Sequence, residues 1–587
     1  MPAVDAAVTP EDPPPTAAPD EDIGTNNTPA THGSWRERHP VFARTASRTT
    51  TALAAALVIA ALLLPDRLDG LTPGEFARVP VEGVCGVALL LVLPPRARRF
   101  AAVAAGFGLG VLTFLNFLDM GFYSTLARPF DPVLDWILFD DAEAFLQDSV
   151  GRAGAIGTVV GVAVLVVALF VLITLAVVRL SRLLVRHSAL ATRGTLVAGT
   201  VWVVCAALGA QIAGVPIASD SVAMGVQDRA DRIRQGLADE REFAKEAADD
   251  PFASTPPDQL LTGLRGKDVI FAFIESYGRT AVEDPAMASQ VGAVLADGTS
   301  RLRAAEYASR SAFLTSPTAG GGSWLAHSTF LSGLWIKNEQ RYRSVTSSER
   351  LTVTGAFERT GAWRTVGIMP GVTRAWPEGR FYGLDHVYDS RTLGYQGPKF
   401  SWSRMPDQYT LSAFERLEHG RSDGDRPLMS EIILTSSHNP WAPIPSTLGW
   451  DEIGDGSVYD AVHAAGKDPK DVWKDPDQVR AEYRRAIEYS LTSLISYVEK
   501  YGKKDTVLVF LGDHQPVPTV TGDHASRDVP VSIVARDPAV LDRIADWGWD
   551  EGLKPGPDAP LWRMDTFRDR FLTAYGPRAE APKQTDR

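Results

Sequence analysis

Residues 505–516, DTVLVFLGDHQP, decide the architecture. The apolar, β-branched run up to Leu511 predicts a buried strand, and Gly512, Asp513 and His514 follow at its carboxyl end. In an open parallel sheet the carboxyl ends of strands meet at one crevice, so chemistry carried there converges from distant parts of a chain. Two other stretches share the pattern: 268–276, DVIFAFIES, reaches Glu275, and 431–441, EIILTSSHNPW, reaches His438. Further strands are expected at 364–369 (RTVGIM) and 529–535 (VPVSIVA). The clearest helix is 477–501, where Ile487, Leu491, Leu494, Ile495 and Val498 share one face. Residues 260–577 therefore read as an α/β domain with a mostly parallel central sheet covered by helices. The Pro-, Gly- and Asp-rich stretch 442–475 reads as a long surface insertion.

Between the first two of those strands lies 316–335, SPTAGGGSWLAHSTFLSGLW. Three glycines lead into Ser323 and then an apolar helical pattern. A hydroxyl at a helix start, with glycines permitting close backbone approach, can act as a nucleophile towards a phosphoryl group that the helix dipole favours. Ser323 can equally be a helix N-cap, and Thr318 and Thr315 are further candidates for the nucleophile. Glu275, Asp513, His514 and the Ser323 hydroxyl offer three oxygens and one nitrogen, a set suited to Mn²⁺ or Zn²⁺ and less naturally to Mg²⁺.

The first half differs in character. Residues 1–34 are acidic, Pro-rich and without an apolar core, so 1–45 is expected to be a disordered cytoplasmic tail with no cleaved signal. Five apolar runs follow, at roughly 49–65, 79–95, 100–118, 154–178 and 195–217, which predict a transmembrane domain of five helices over 46–218. The second, interrupted by Pro80 and Glu82, is the weakest of them. Arg36, Arg38, Arg44 and Arg48 precede the first run, Arg96, Arg98 and Arg99 join the second to the third, and Arg179, Arg182, Arg186 and Arg193 join the fourth to the fifth, whereas the 119–153 joint is acidic. Arginine is retained on the cytoplasmic side. That alternation places the tail inside and everything after 218 outside, with 219–259 as a helical linker and 578–587 as a tail. The net charge of −12 argues against a nucleic-acid partner. Cys85 and Cys205 both sit in apolar runs, which leaves neither a disulfide framework nor a thiolate metal site.

Taken together, these membrane runs, IES, the Gly-rich hydroxyl segment, SSHNPW and LGDHQP resemble the lipoteichoic acid synthase and phosphoglycerol transferase group within the alkaline phosphatase and sulfatase superfamily. The resemblance covers about 45–575 and implies a sulfatase-like extracellular domain with one Mn²⁺ and a Thr nucleophile. Carried over, the metal ligands fall on Glu275, Asp513, His514 and the nucleophile on Ser323, where this sequence has Ser in place of Thr. The resemblance also implies head-group contact by His438, and glycerol phosphate binding by a Trp and an Arg. In 371–389, GVTRAWPEGRFYGLDHVYD, Trp376 with Arg374 or Arg380 offers that pair. It further implies a phospholipid donor and a glycolipid or polymer acceptor. The alternatives are a sulfatase, although 315–319 (TSPTA) lacks the family's starting residue and Arg; a two-metal phosphodiesterase drawing on His327, Asp523 and His524; and a catalytically silent membrane receptor or scaffold.

Overall fold

The computed structural model describes residues 39–578, apart from 127, 133–134, 213, 374–375, 401, 403, 422–425 and 523. Five apolar helices come first: α1 (Pro40–Leu63), α2 (Val81–Val92), α3 (Pro95–Leu126), α4 (Leu138–Arg186) and α5 (Ser188–Leu208). Four are long and apolar enough to cross a membrane, in α4 the part Gly151–Arg186, which makes this a multi-pass membrane protein. Gly151 breaks α4 at φ 74°, and Gly209 ends α5 in the left-handed conformation.

The expected second span differs. Pro80 fixes the start of α2 and Pro94–Pro95 end it, leaving 12 residues, or about 18 Å against the ~30 Å of a hydrocarbon core. Its direction nevertheless alternates with its neighbours. The Arg179 guanidinium near the end of α4 donates to Ser47 O at 2.8 Å, so the start of α1 and the end of α4 share one end of the bundle. At the other end Asn116 of α3 donates to Leu64 O at 2.8 Å, and Val79, just before α2, pairs with Ala218, after α5. The chain therefore leaves the bundle at the end opposite to its start.

It leaves through α6 (Ser221–Ala248), a charged helix fastened to the α/β domain beyond it. Arg341 donates to Asp239 at 2.7 Å, and Asp250, two residues past the end of α6, pairs through its side chain with the fully buried Arg568 and lies 3.8 Å from Arg350. Asp119, expected in an acidic loop, is instead buried in α3 and ion-paired with Arg229 of α6.

The remaining strands are β1 (Asp268–Ile274), β2 (Ala308–Thr315), β3 (Arg364–Met369), β4 (His386–Asp389), β5 (Leu428–Leu434), β6 (Thr506–Gly512), β7 (Asp528–Ala535), β8 (Asp550–Glu551) and β9 (Leu561–Arg563). They form one nine-stranded sheet in the order β8-β2-β7-β6-β1-β5-β3-β4, with β9 beside β2. From β6 to β4 every pairing is parallel, whereas β7 runs antiparallel to both β6 and β2. The fold is thus α/β with a mixed, mostly parallel sheet. Side chains of β1 alternate between two cores: Ile270, Ala272 and Ile274 face α7 (Ala288–Ala304) and the long helix, here Pro476–Tyr501, while Val269, Phe271 and Phe273 face the layer holding α8 (Ser323–Ser332). The 442–475 stretch is less superficial than expected, since Ile453, Tyr459 and Val472 are buried against the first core.

Candidate active site

The ends of β1 and β6 are locked together by the Asp513 carboxylate and two backbone amides. Ser276 takes a left-handed φ of 57° and its N–H donates to Asp513 Oδ1 at 2.8 Å, as does the His514 N–H at 2.6 Å. Gly512 is required there, because a Cβ would sit 1.8 Å from the Tyr277 carbonyl oxygen. With Oδ1 engaged twice, Asp513 Oδ2 is left buried and without a hydrogen-bond partner. A buried orphan carboxylate oxygen is costly unless a cation meets it.

His514 is oriented by its other ring nitrogen, with Nδ1 2.8 Å from Gln515 O, so Nδ1 carries the proton and Nε2 turns inward. Nε2 lies 3.3 Å from Glu275 Oε1. Across from them, Gly322 in left-handed conformation starts α8, and Ser323 is its first residue. Its hydroxyl does not cap the helix; Oγ donates to Glu275 Oε2 at 2.9 Å and lies 3.2 Å from His514 Nε2. Glu275, Asp513 and His514 each offer a ligand atom within 4.8 Å of the others, and all three are buried. This group can hold a metal ion, and the orphan Oδ2 fits one. Electrostatics agree: burial raises the Glu275 pKa, but the hydrogen bond to His514 and the charges of His438 and His514 overcome it and hold the carboxyl well below its usual range. Burial lowers that of His514, and Asp513 and Glu275 reverse this and push it up to about 9.

His438 follows β5 on a turn braced from behind. Buried Asp407 accepts from Ser436 N at 2.9 Å and Ser490 Oγ at 2.6 Å, and Ser437 donates to the Glu275 carbonyl at 2.6 Å. The His438 ring stacks on Trp402 with centroids 4.0 Å apart. Trp402 was not foreseen: it stands alone in an irregular segment, and only tertiary packing brings it to His438.

The other candidates meet different partners. Trp376 stacks on Tyr382 at 5.4 Å, whose hydroxyl is 2.6 Å from Ser328 Oγ on α8. Arg380 is exposed and makes no ion pair among the described residues; Arg374 lies outside them. Thr315 donates to Asp528 at 2.9 Å, whereas the Thr318 hydroxyl is buried and unpartnered. His327, one turn beyond Ser323, places Nε2 3.8 Å from Asp513 Oδ2. His524 is exposed, and Asp523 lies outside the described residues.

No family model matches the chain, and no curated protein matches it. Among solved structures it is similar to the lipoteichoic acid synthase LtaP from Listeria monocytogenes at 13% identity, covering 54% of this chain and 74% of that one with a TM-score of 0.37. It is similar to the Streptococcus pyogenes phosphoglycerol transferase GacH, in complex with sn-glycerol-1-phosphate, at 12% identity, covering 57% and 91% with a TM-score of 0.32. A Vibrio parahaemolyticus protein of the alkaline phosphatase superfamily is similar at 16% identity, 59% and 76%, and 0.34. These are distant likenesses, and the site stands on its own geometry.

Proposed function

We propose that this is a membrane-anchored, metal-dependent transferase that moves phosphoglycerol, or a similar phosphoalcohol, from a phospholipid to a glycolipid or cell-envelope polymer outside the cytoplasmic membrane. The observation that carries the reading is the Ser323 hydroxyl, turned away from helix capping and held between Glu275 and His514 beside the orphan Asp513 oxygen. Glu275, Asp513, His514 and Ser323 Oγ would hold one divalent cation, Mn²⁺ by this mixed donor set, which supplies a lowered hydroxyl pKa and neutralises phosphoryl charge. Ser323 Oγ bonds to phosphorus and loses its proton, while the bond to the diacylglycerol oxygen breaks and that oxygen takes a proton up. An acceptor hydroxyl then gives up its proton and bonds to phosphorus, while the bond from phosphorus to Ser323 Oγ breaks and Oγ takes a proton up. His438, steadied by Trp402 and the Asp407 brace, contacts the head group, and Trp376 and Arg380 hold the phosphoalcohol. Arginine on alternate joints orients the bundle, and its far end, where the α/β domain sits, is the external one.

Incubating the full-length protein with head-group-labelled phosphatidylglycerol tests this. Diacylglycerol release and a labelled adduct on the peptide from Gly320 to His327 are expected. Release without an adduct on that peptide, in protein quenched during turnover, would refute the covalent route. His327, close to Asp513, supports a second reading as a two-metal hydrolase; two metal ions per chain, with water as the acceptor, would favour it.

A further inference from the structure

Where α3 ends, the membrane bundle touches the nucleophile segment directly. A Cβ on Gly320 would lie 2.1 Å from Thr125 O, and one on Gly321 3.1 Å from the Leu126 side chain. Beside this contact is a cavity of 310 Å³ whose wall comes from five stretches: the end of α3 and the segment after it, Arg232 of α6, the residues around the glycines, Lys337 to Glu339, and Arg527 just before β7. Four cations border it, Arg128, Arg232, Lys337 and Arg527, against three acids, Asp131, Asp135 and Glu339.

The pairing of these charges is uneven. Arg128 is held bidentately by Asp135 at 2.6 and 2.8 Å, Lys337 pairs with Asp239 at 2.9 Å, and Glu339 accepts from Trp324 Nε1 at 3.1 Å. Arg232 and Arg527 form no ion pair among the described residues. Arg527 donates only to the Pro317 carbonyl at 3.0 Å, and Arg232 Nε is buried with no hydrogen-bond partner. The Thr318 hydroxyl, on the same wall, is buried and equally unpartnered. Desolvation, and then the nearby charge of Arg128, lower the Arg527 pKa, so this guanidinium lacks a counter-ion where one would relieve it. Two unpaired guanidiniums and a free hydroxyl around one cavity match an oxyanion with several acceptor oxygens. Two of these five stretches are the end of a membrane helix and the connector leaving the bundle, which is where lipid head groups lie.

We propose that this cavity binds the phosphate of a membrane phospholipid, held by Arg232, Arg527 and the Thr318 hydroxyl. The proposal rests on the membrane-anchored transferase reading for its purpose, delivering a lipid phosphate next to α8, but not for its chemistry. Native mass spectrometry of the full-length, detergent-purified protein tests it with three probes: phosphatidylglycerol, diacylglycerol and inorganic phosphate. Wild type is expected to retain phosphatidylglycerol and not diacylglycerol, and the R232Q/R527Q double variant to bind it at least tenfold more weakly at unchanged metal content. Should the double variant fail to fold, R527Q against R527K decides, with the lysine keeping most of the binding. Unchanged retention in the glutamine variants, or none in wild type, overturns the site. Binding of inorganic phosphate with no retention of the lipid overturns the lipid source. Arg-dependent lipid retention without diacylglycerol release would instead leave the site standing and remove the transferase reading.

Discussion

At Asp513 one oxygen is spent on two backbone amides and the other is kept free for the crevice. Asp513→Asn preserves the shape but replaces an anionic oxygen, so bound Mn²⁺, measured by plasma mass spectrometry, is expected to fall below a tenth of wild type together with turnover. Ser323 makes the complementary case. Gly322, without a side chain, occupies the cap position, so Ser323→Ala should cost well under the ~1 kcal/mol typical of a lost cap and shift the melting temperature little. Turnover should drop by several orders of magnitude, and Ser323→Thr should keep part of it. A large melting shift with near-normal rate would mean that the hydroxyl is structural. Glu275, Asp513 and His514 were legible because each interrupts an apolar strand pattern at its carboxyl end. Trp402 and Arg527, which has no ion pair among the described residues, were not, since neither lies in a periodic segment and their neighbours are set by packing alone.

Among the elements, β1 and β3 fall where the apolar runs predict them, and the long helix starts one residue earlier. The strand β2 escaped because its sequence, ASRSAFLT, carries three consecutive polar residues near its start and then only three consecutive apolar ones, too short a run to mark a buried strand. Gly320 belongs to this scale, joining the nucleophile loop to the end of α3. Gly320→Ala adds a methyl at φ 73°, against a backbone oxygen. It is expected to cost about 1–3 kcal/mol and to lower activity of the full chain, read as a drop in melting temperature beside the turnover assay. The strand β5 carries a second anomaly: burial pushes Glu431 up to about 8 from an ordinary 4.5. The folded chain therefore holds a proton that the unfolded chain gives up between those values. Stability is fully present below about pH 4.5 and declines as pH rises through 8, by at most ~1.4 kcal/mol per pH unit. Glu431→Gln should flatten this decline in melting curves taken from pH 5 to 9; equal slopes in both proteins would show that another group is responsible.

For the whole molecule, the sequence predicts five spans and the structure has four long ones with the short α2 between the first two, so the five helices still run in alternating directions. Reporter fusions at about 97, 135, 187 and 230 are expected to read inside, outside, inside, outside. A cytoplasmic signal at 230 would remove the external enzyme altogether. The alternation was readable from arginine placement, but the shortness of α2 depended on where the flanking prolines stopped the helix, and the docking of the bundle on the glycine loop left no trace in hydropathy.

The connector α6 has a mechanical consequence. Asp239 and Asp250 fasten it to Arg341 and Arg568, and Asp119 of α3 fastens it to the bundle through Arg229, so it works as a strut and not as a tether. A strut fixes the working height of the crevice above the bilayer. For the transferase proposed above, substrates embedded in the leaflet would meet the crevice by a two-dimensional search at constant depth, and a growing product would have to be threaded away from a stationary site, because the site could not move along with it.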